Sequence, residues 1–181
     1  MTRSATGSGS ARCSPGPDPA TPVSRVRAGW SPGYRRPVTT PSSSDLPKCE
    51  FAFPGPLRDQ LVAAVLSGAK TSTTGLLQDY ERDGEPLPVV GDRSVVVDSA
   101  DRPVAVIEVT GVRVVRLGDV DLDHARDEGE GYDSMAAWRA GHEEYWHGSD
   151  YLGWLGDPGF RVDDDTLAVV ERFRVVPGVP G

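Results

Sequence analysis

Ser67-Gly68-Ala69-Lys70-Thr71-Ser72-Thr73-Thr74-Gly75-Leu76 is the stretch on which the fold turns. The residues before it predict a helix over 56–67. Pro56 suits a first helical position, and Leu57, Leu61, Val62, Val65 and Leu66 share one face at 3.6 residues per turn. Gly68 ends that helix, because glycine enters the left-handed region without a Cβ penalty. Lys70 then lies just past a helix C-terminus, where the macrodipole favours a cation, and an ordinary C-terminal lysine would read the same way. Four consecutive hydroxyl residues follow it in what reads as a turn. A phosphate-binding P-loop is excluded: that motif needs Gly directly before Lys and a helix after it, whereas here Ala69 intervenes and the helix comes first.

Outward from this turn, a polar loop is expected from Asp79 to Pro88, with strands near 94–98 and 103–116. Within the second strand apolar residues occupy both alternation sets, so it is covered on both faces for part of its length. A short helix is expected near 119–127. A second opens with Ser134 as N-cap and turns Met135, Trp138, His142, Tyr145 and Trp146 inward. The last strand, Leu167 to Val176, carries Leu167, Val169, Phe173 and Val175 on one side and Arg172 and Arg174 on the other. Strands interrupted by helices at this chain length predict an α+β fold on a small barrel or strongly bent mixed sheet.

Composition divides the 181 residues. Residues 1–48 are rich in Pro, Ser, Gly, Thr and Arg and too poor in large apolar side chains to offset ordering entropy, which predicts a disordered tail. Residues 49–177 form the domain, and 178–181 a short C-terminal tail. The first 48 residues hold seven Arg or Lys against Asp18 and Asp45, a balance of +5; the remainder holds twelve against twenty-five acids, a balance of −13. A basic tail suits RNA or an anionic surface, and equally a leader or translated upstream sequence. No apolar run spans a bilayer and no hydrophobic region follows Arg3, so the expectation is a cytoplasmic protein with no membrane partner. Cys13 and Cys49 alone make no disulfide framework.

A resemblance sharpens the reading. Gly68, Lys70 and Thr73 in a Gly-x-Lys-x-x-Thr pattern, then Val90-Gly91-Asp92, Ile107-Glu108-Val109-Thr110 and Glu128-Gly129-Glu130-Gly131, together resemble the ASCH domain over about Phe51 to Val176. The family is similar to PUA domains, which implies a compact β-barrel flanked by helices and an RNA-derived ligand. In its cytidine amidohydrolases a Lys, a Thr three residues later and a downstream Glu are catalytic. The resemblance carries these roles to Lys70, Thr73 and Glu128. Those enzymes have an Arg just after the Thr; here Thr74, Gly75 and Leu76 follow, so their substrate does not transfer directly. The chain looks more like larger ASCH proteins with an acidic Gly-Glu-Gly turn, some associated with metal-dependent RNA cleavage.

Lys70 serves as a base only if burial or a nearby cation lowers its pKa, and Thr73 would then be the nucleophile. Gly68, Ser72 and Thr74 complete the expected ligand-binding turn. Glu128, Glu130 and Asp133 offer oxygen ligands for Mn²⁺ or Mg²⁺, although charge runs are usually solvated surface, and no cofactor is certain. His142 and His147 are five apart, not four, and do not make a zinc helix. Glu108 interrupts an apolar strand and is expected at an exposed sheet edge, or else in the site. Tyr151 and Trp154, in a Gly-rich loop, are the candidate stacking surfaces for bases. The acidic domain disfavours tight non-specific RNA binding, leaving a nucleoside or short single-stranded RNA; nothing signals DNA. The expected function is hydrolysis of such a ligand, the rivals being a non-catalytic RNA-binding module and an adaptor acting through the basic tail.

Overall fold

The computed structural model describes residues 46–177. The chain runs β1 (Lys48–Cys49), α1 (Pro56–Ser67), β2 (Ser72–Leu76), α2 (Leu77–Asp83), β3 (Arg93–Val97), β4 (Pro103–Arg116), a 3-10 turn (Leu117–Asp119), α3 (Leu122–Asp127), α4 (Met135–Trp146), α5 (Ser149–Leu155) and β5 (Leu167–Val176). The strands form one sheet in the order β1-β3-β4-β5-β2. Its β1–β3 pair is parallel and the others antiparallel. The fold is the expected α+β class, and the sheet is mixed and open instead of closed into a barrel. The tail assigned to 1–48 and its Cys13 lie, apart from residues 46–48, outside the described residues.

Gly68 ends α1 as expected, at φ 78°, its N–H returning to Val65 O. Leu61, Val62 and Val65 of α1 pack on Val96, Ala105, Ile107 and Phe173 of the sheet. Each such side chain contributes about 1.5–3 kcal/mol on burial. Leu66, expected on the same face, is exposed. A second cluster joins Leu76, Ala168 and Val170 to Trp138, Trp146, Tyr151, Leu117 and Ala125. Phe173 feeds the first cluster and Ala168 and Val170 the second, so β5 is covered on both faces, as alternation requires. Leu167 and Val175, expected inside, are exposed.

Four local readings are corrected. The hydroxyl stretch is not a turn but the fully buried edge strand β2. Of the polar loop expected from Asp79 to Pro88, residues 79–83 belong to α2. Tyr151 and Trp154 lie on α5, not in a loop. Glu108 is at no edge: β4 is an interior strand, and Glu108 stands between Arg93 on β3 and Arg174 on β5 in direct register. Both arginines reach its carboxylate, at 2.7 and 2.6 Å.

Candidate functional site

Strand β2 enters the sheet by docking on the C-terminal end of α3. The backbone N–H of Thr71 donates to Asp127 O (2.7 Å) and the Ser72 hydroxyl to His124 O (3.0 Å). Lys70 Nζ donates to Glu128 O at 3.3 Å. Asp127 O and Glu128 O, left open at the end of α3, thus receive donors from the motif, and His124 O, which already accepts the Glu128 N–H, receives a second. The glycine of the acidic turn has a packing reason: at Gly129, φ +69°, a Cβ would stand 2.5 Å from Ala69 O. The turn therefore lies directly on the Ala69–Lys70 peptide and brings Glu130 Oε1 to 3.2 Å from Lys70 Nζ. Both side chains are 1% exposed. Lys70 also lies over the Phe51 ring, 5.6 Å from its centroid.

Glu128 is the hub of a buried polar network. Its Oε1 accepts the Thr74 hydroxyl at 2.6 Å. Its Oε2 accepts Trp138 Nε1–H at 2.7 Å and lies 3.1 Å from His142 Nε2, within ion-pair range although misaligned for a hydrogen bond. His142 Nδ1 faces Trp138 O at 3.0 Å. Its ring is stacked 4.2 Å from that of Trp138. An oxygen thus stands before each ring nitrogen of His142. Thr74 donates its one proton to Glu128, so its oxygen accepts from His124 Nε2, 2.8 Å away. That tautomer leaves His124 Nδ1 bare, and this atom has no hydrogen-bond partner among the described residues. Burial alone would raise the Glu128 pKa. His142 above all, with His124 and Lys70, outweighs it and holds the carboxyl well below its ordinary value. Glu130 goes the other way: burial raises it, the Glu128 charge adds to the rise, and Lys70 opposes it.

The expected residues are only partly brought together. Lys70, Glu128 and Glu130 converge. Thr73 does not reach the Glu128 carboxylate; its neighbour Thr74 does. Successive strand residues point to opposite faces. The pairing of Thr73 with Glu171 on β5 puts it on the face away from Thr74. Gly68 is an exposed cap, and Ser72 is buried against α3. Asp133 is exposed. Among the described residues no group of three or more His, Cys, Asp or Glu is arranged for a metal ion. Both Glu128 oxygens already face donors and a lysine Nζ stands where a cation would bind, so these residues do not fit Mn²⁺ or Mg²⁺. Tyr151 is buried, its hydroxyl donating to Asp79 Oδ1 at 2.6 Å. Trp154 is covered by Arg82, 4.2 Å from its ring. His147 accepts the Val162 N–H at 3.1 Å, far from any role beside His142.

Sequence reading missed three participants: His124, His142 as an ionic partner, and Glu171. Glu171 had a signal, since it interrupts the apolar set Leu167, Val169, Phe173 and Val175. It is 1% exposed and accepts the Tyr80 hydroxyl at 2.8 Å. Burial pushes its carboxyl up to about 7, the Tyr80 bond opposing and the Asp92 charge adding.

Known proteins can be set beside this geometry. No curated protein sequence matches the chain. An ASCH domain structure from Lactobacillus crispatus JV V101 is similar at 29% identity and a TM-score of 0.61, covering 70% of this chain and 76% of that one. Protein EF3133 from Enterococcus faecalis V583 is similar at 27% identity and a TM-score of 0.58, covering 66% and 69%. The ASCH domain family model matches residues 50–177, nearly the whole described region. With that match lying over the Lys70 turn, the Gly-Glu-Gly turn and the sheet between them, the chain belongs to the ASCH domain family.

Proposed function

We propose that the domain binds a small RNA-derived ligand, a nucleoside or short single-stranded RNA, at Lys70 and hydrolyses it. The observation that carries this is the Lys70–Glu130 pair. Burying two charges costs more than a surface pair returns, and groups so placed concentrate at functional sites. Glu130 sits between two glycines of positive φ, Gly129 and Gly131, so the counter-charge of Lys70 rides on a turn free of Cβ constraint on either side. Protonation of Glu130, eased by its raised pKa, weakens its hold on Lys70. The ammonium then meets a phosphate or carbonyl oxygen of the ligand and stabilises charge developing there. Thr74 is the hydroxyl beside Glu128. Glu128 orients Thr74 and supplies a fixed negative charge. The acidic balance of the domain favours a ligand with few phosphates over a long strand.

One observation favours a second reading, recognition without turnover: Glu128, held ionised well below its ordinary range, is a weak base. The purified full-length chain assayed against acylated nucleosides and short RNAs separates the two. Hydrolysis predicts turnover in wild type that falls roughly 100-fold or more in Lys70→Gln, as for loss of an electrostatic donor in an active site. Recognition predicts Lys70-dependent binding and no product. In either case Glu130→Gln, which removes the competing charge, raises affinity. If wild type neither binds nor turns over these ligands, the proposal fails.

A further inference from the structure

A cavity of about 330 Å³ lies between the β1–α1 connection and the junction of α4 with α5. Its volume is at the lower end of small-ligand sites. Phe53, Tyr145 and Tyr151 give it an aromatic wall, the Phe53 and Tyr145 rings 6.2 Å apart and those of Tyr145 and Tyr151 5.7 Å apart. Phe53 is 38% exposed, and the loop that carries it is fixed on both sides. Arg58, itself 4% exposed, donates through Nε and Nη2 to Ala52 O at 3.1 and 2.6 Å and through Nε to Phe51 O at 3.2 Å. Ala52 is held at φ 55°, a left-handed conformation that a residue with a Cβ keeps only where its surroundings impose it. Beyond Phe53, the Ser99 hydroxyl accepts the Gly55 N–H at 2.9 Å and donates to Gly55 O at 3.0 Å. Pro54 and Pro56 fix φ on either side of that glycine. A strained residue, a buried guanidinium and two prolines thus hold one half-open aromatic ring beside a cavity.

Charge selects the ligand. Glu144 and Asp150 are exposed and line the cavity, and among the described residues no Lys, Arg or His lines it. An anionic ligand would meet like charge there, whereas a cation meets carboxylates together with the negative faces of aromatic rings. We propose that this cavity binds a planar aromatic cation, a ring bearing an amidinium or a protonated amine, with the ring stacked on Phe53 and its charged edge toward Glu144 and Asp150. Offset stacking uses the Phe53 quadrupole, and the paired N–H groups of an amidinium suit a carboxylate. A rigid ring also loses little conformational freedom on entering, which suits a cavity too small to repay the ordering of a long chain. The site is separate from the one proposed around Lys70, since Lys70, Glu128 and Glu130 do not line it.

The test titrates the full-length chain by calorimetry, at neutral pH and low salt, with benzamidine, benzamide and benzoate, one ring carrying a positive, a neutral and a negative edge. Benzamidine should bind about tenfold more tightly than benzamide, and benzoate most weakly. Glu144→Gln/Asp150→Asn should bring benzamidine to the level of benzamide while leaving benzamide unchanged. Phe53→Leu keeps an apolar side chain and removes the π face; it should weaken benzamidine about three- to fivefold. An unchanged melting transition is the fold control for each variant. Salt at about 1 M, where the Debye length is about 3 Å, should remove most of the advantage of benzamidine over benzamide. No benzamidine binding, equal affinity for benzamidine and benzoate, or a benzamidine affinity unchanged by either the double substitution or Phe53→Leu overturns the proposal.

Discussion

Glu128 and Glu171 are both 1% exposed, yet the fold drives them to opposite charge states. Glu128 has a hydroxyl, an indole N–H and an imidazole within 3.1 Å, and stays ionised well below the usual carboxylate range. Glu171 has one phenol at 2.8 Å and an acidic neighbour, and titrates near 7. Burial is common to the two. The partners decide: the attraction of His142 first, and then hydrogen bonds to the charged form, outweigh the desolvation of Glu128, whereas one hydrogen bond and an acidic neighbour leave that of Glu171 in control. Glu128 is therefore a fixed charge about which α3, α4 and β2 assemble, and Glu171 a group able to change state.

The largest effect is expected from breaking the fixed charge. Glu128→Ala strands the imidazole of His142, the Trp138 indole and the Thr74 hydroxyl without their shared acceptor. Removing one partner of a buried ionic network costs about 3–5 kcal/mol. Urea denaturation of variant and wild type measures it, and a loss under about 1 kcal/mol would mean that the network contributes no more than a surface ion pair.

Gly129→Ala attacks the same region through the backbone. The new Cβ would meet Ala69 O at 2.5 Å from a left-handed conformation. Strain and overpacking together should cost about 2–4 kcal/mol. Gly131, also at positive φ, has open space where its Cβ would be, so Gly131→Ala should cost about 1–2 kcal/mol, the conformational part alone. Equal losses from the two would show that the turn does not press on the Lys70 peptide.

For Glu171 the contrast becomes a pH dependence. Below pH 4.5, its ordinary value, the carboxyl is protonated in folded and unfolded chains alike. Between 4.5 and about 7 the unfolded chain releases a proton that the folded chain keeps, so stability from this group falls as pH rises and is gone above 7. The full difference is about 3 kcal/mol at most. Glu128 has the opposite sign: its contribution is present above 4.5 and is lost as pH falls through its depressed folded value. Thermal melts from pH 5 to 8 should therefore show the gap between wild type and Glu171→Gln changing steadily in favour of the variant. A constant gap would mean that Glu171 does not titrate in this window.

These two carboxylates also mark what the sequence made legible. The end of α1 at Gly68, the span of β4 and that of β5 follow from local periodicity and glycine conformation, and each appears where that physics puts it. Strand β2 was hidden because its buried face is polar: Ser72 and Thr74 are satisfied by α3, some fifty residues away, and no local pattern reports such partners. The same distance hid the choice of Thr74 over Thr73, which depends on strand parity. Lys70, Glu128 and Glu130 were legible as a motif, whereas their mutual placement rests on the Gly129–Ala69 contact. Glu171 was legible in principle, as a gap in an apolar alternation. Its reading needed the knowledge that both faces of β5 are covered.

Glu108 provides the smallest expected effect and a control on the comparison. It, too, interrupts an apolar strand, and it has charged partners on both sides: Arg174 first and Arg93 next hold its carboxyl below the ordinary value. Its side chain is 14% exposed and those of Arg93 and Arg174 are 40% and 66% exposed, so water and salt screen what the buried pairs keep. If exposure separates the glutamates as argued, Glu108→Gln should lower the melting temperature less than Glu128→Ala, Gly129→Ala or Gly131→Ala. Raising the salt to about 1 M, where the Debye length falls to about 3 Å, should erase most of that loss while leaving the Glu128→Ala loss in place. A salt-insensitive loss at Glu108 comparable to that at Glu128 would break the distinction, because it would show that charge partners alone, without exclusion of water, are enough to build a fixed charge on this sheet.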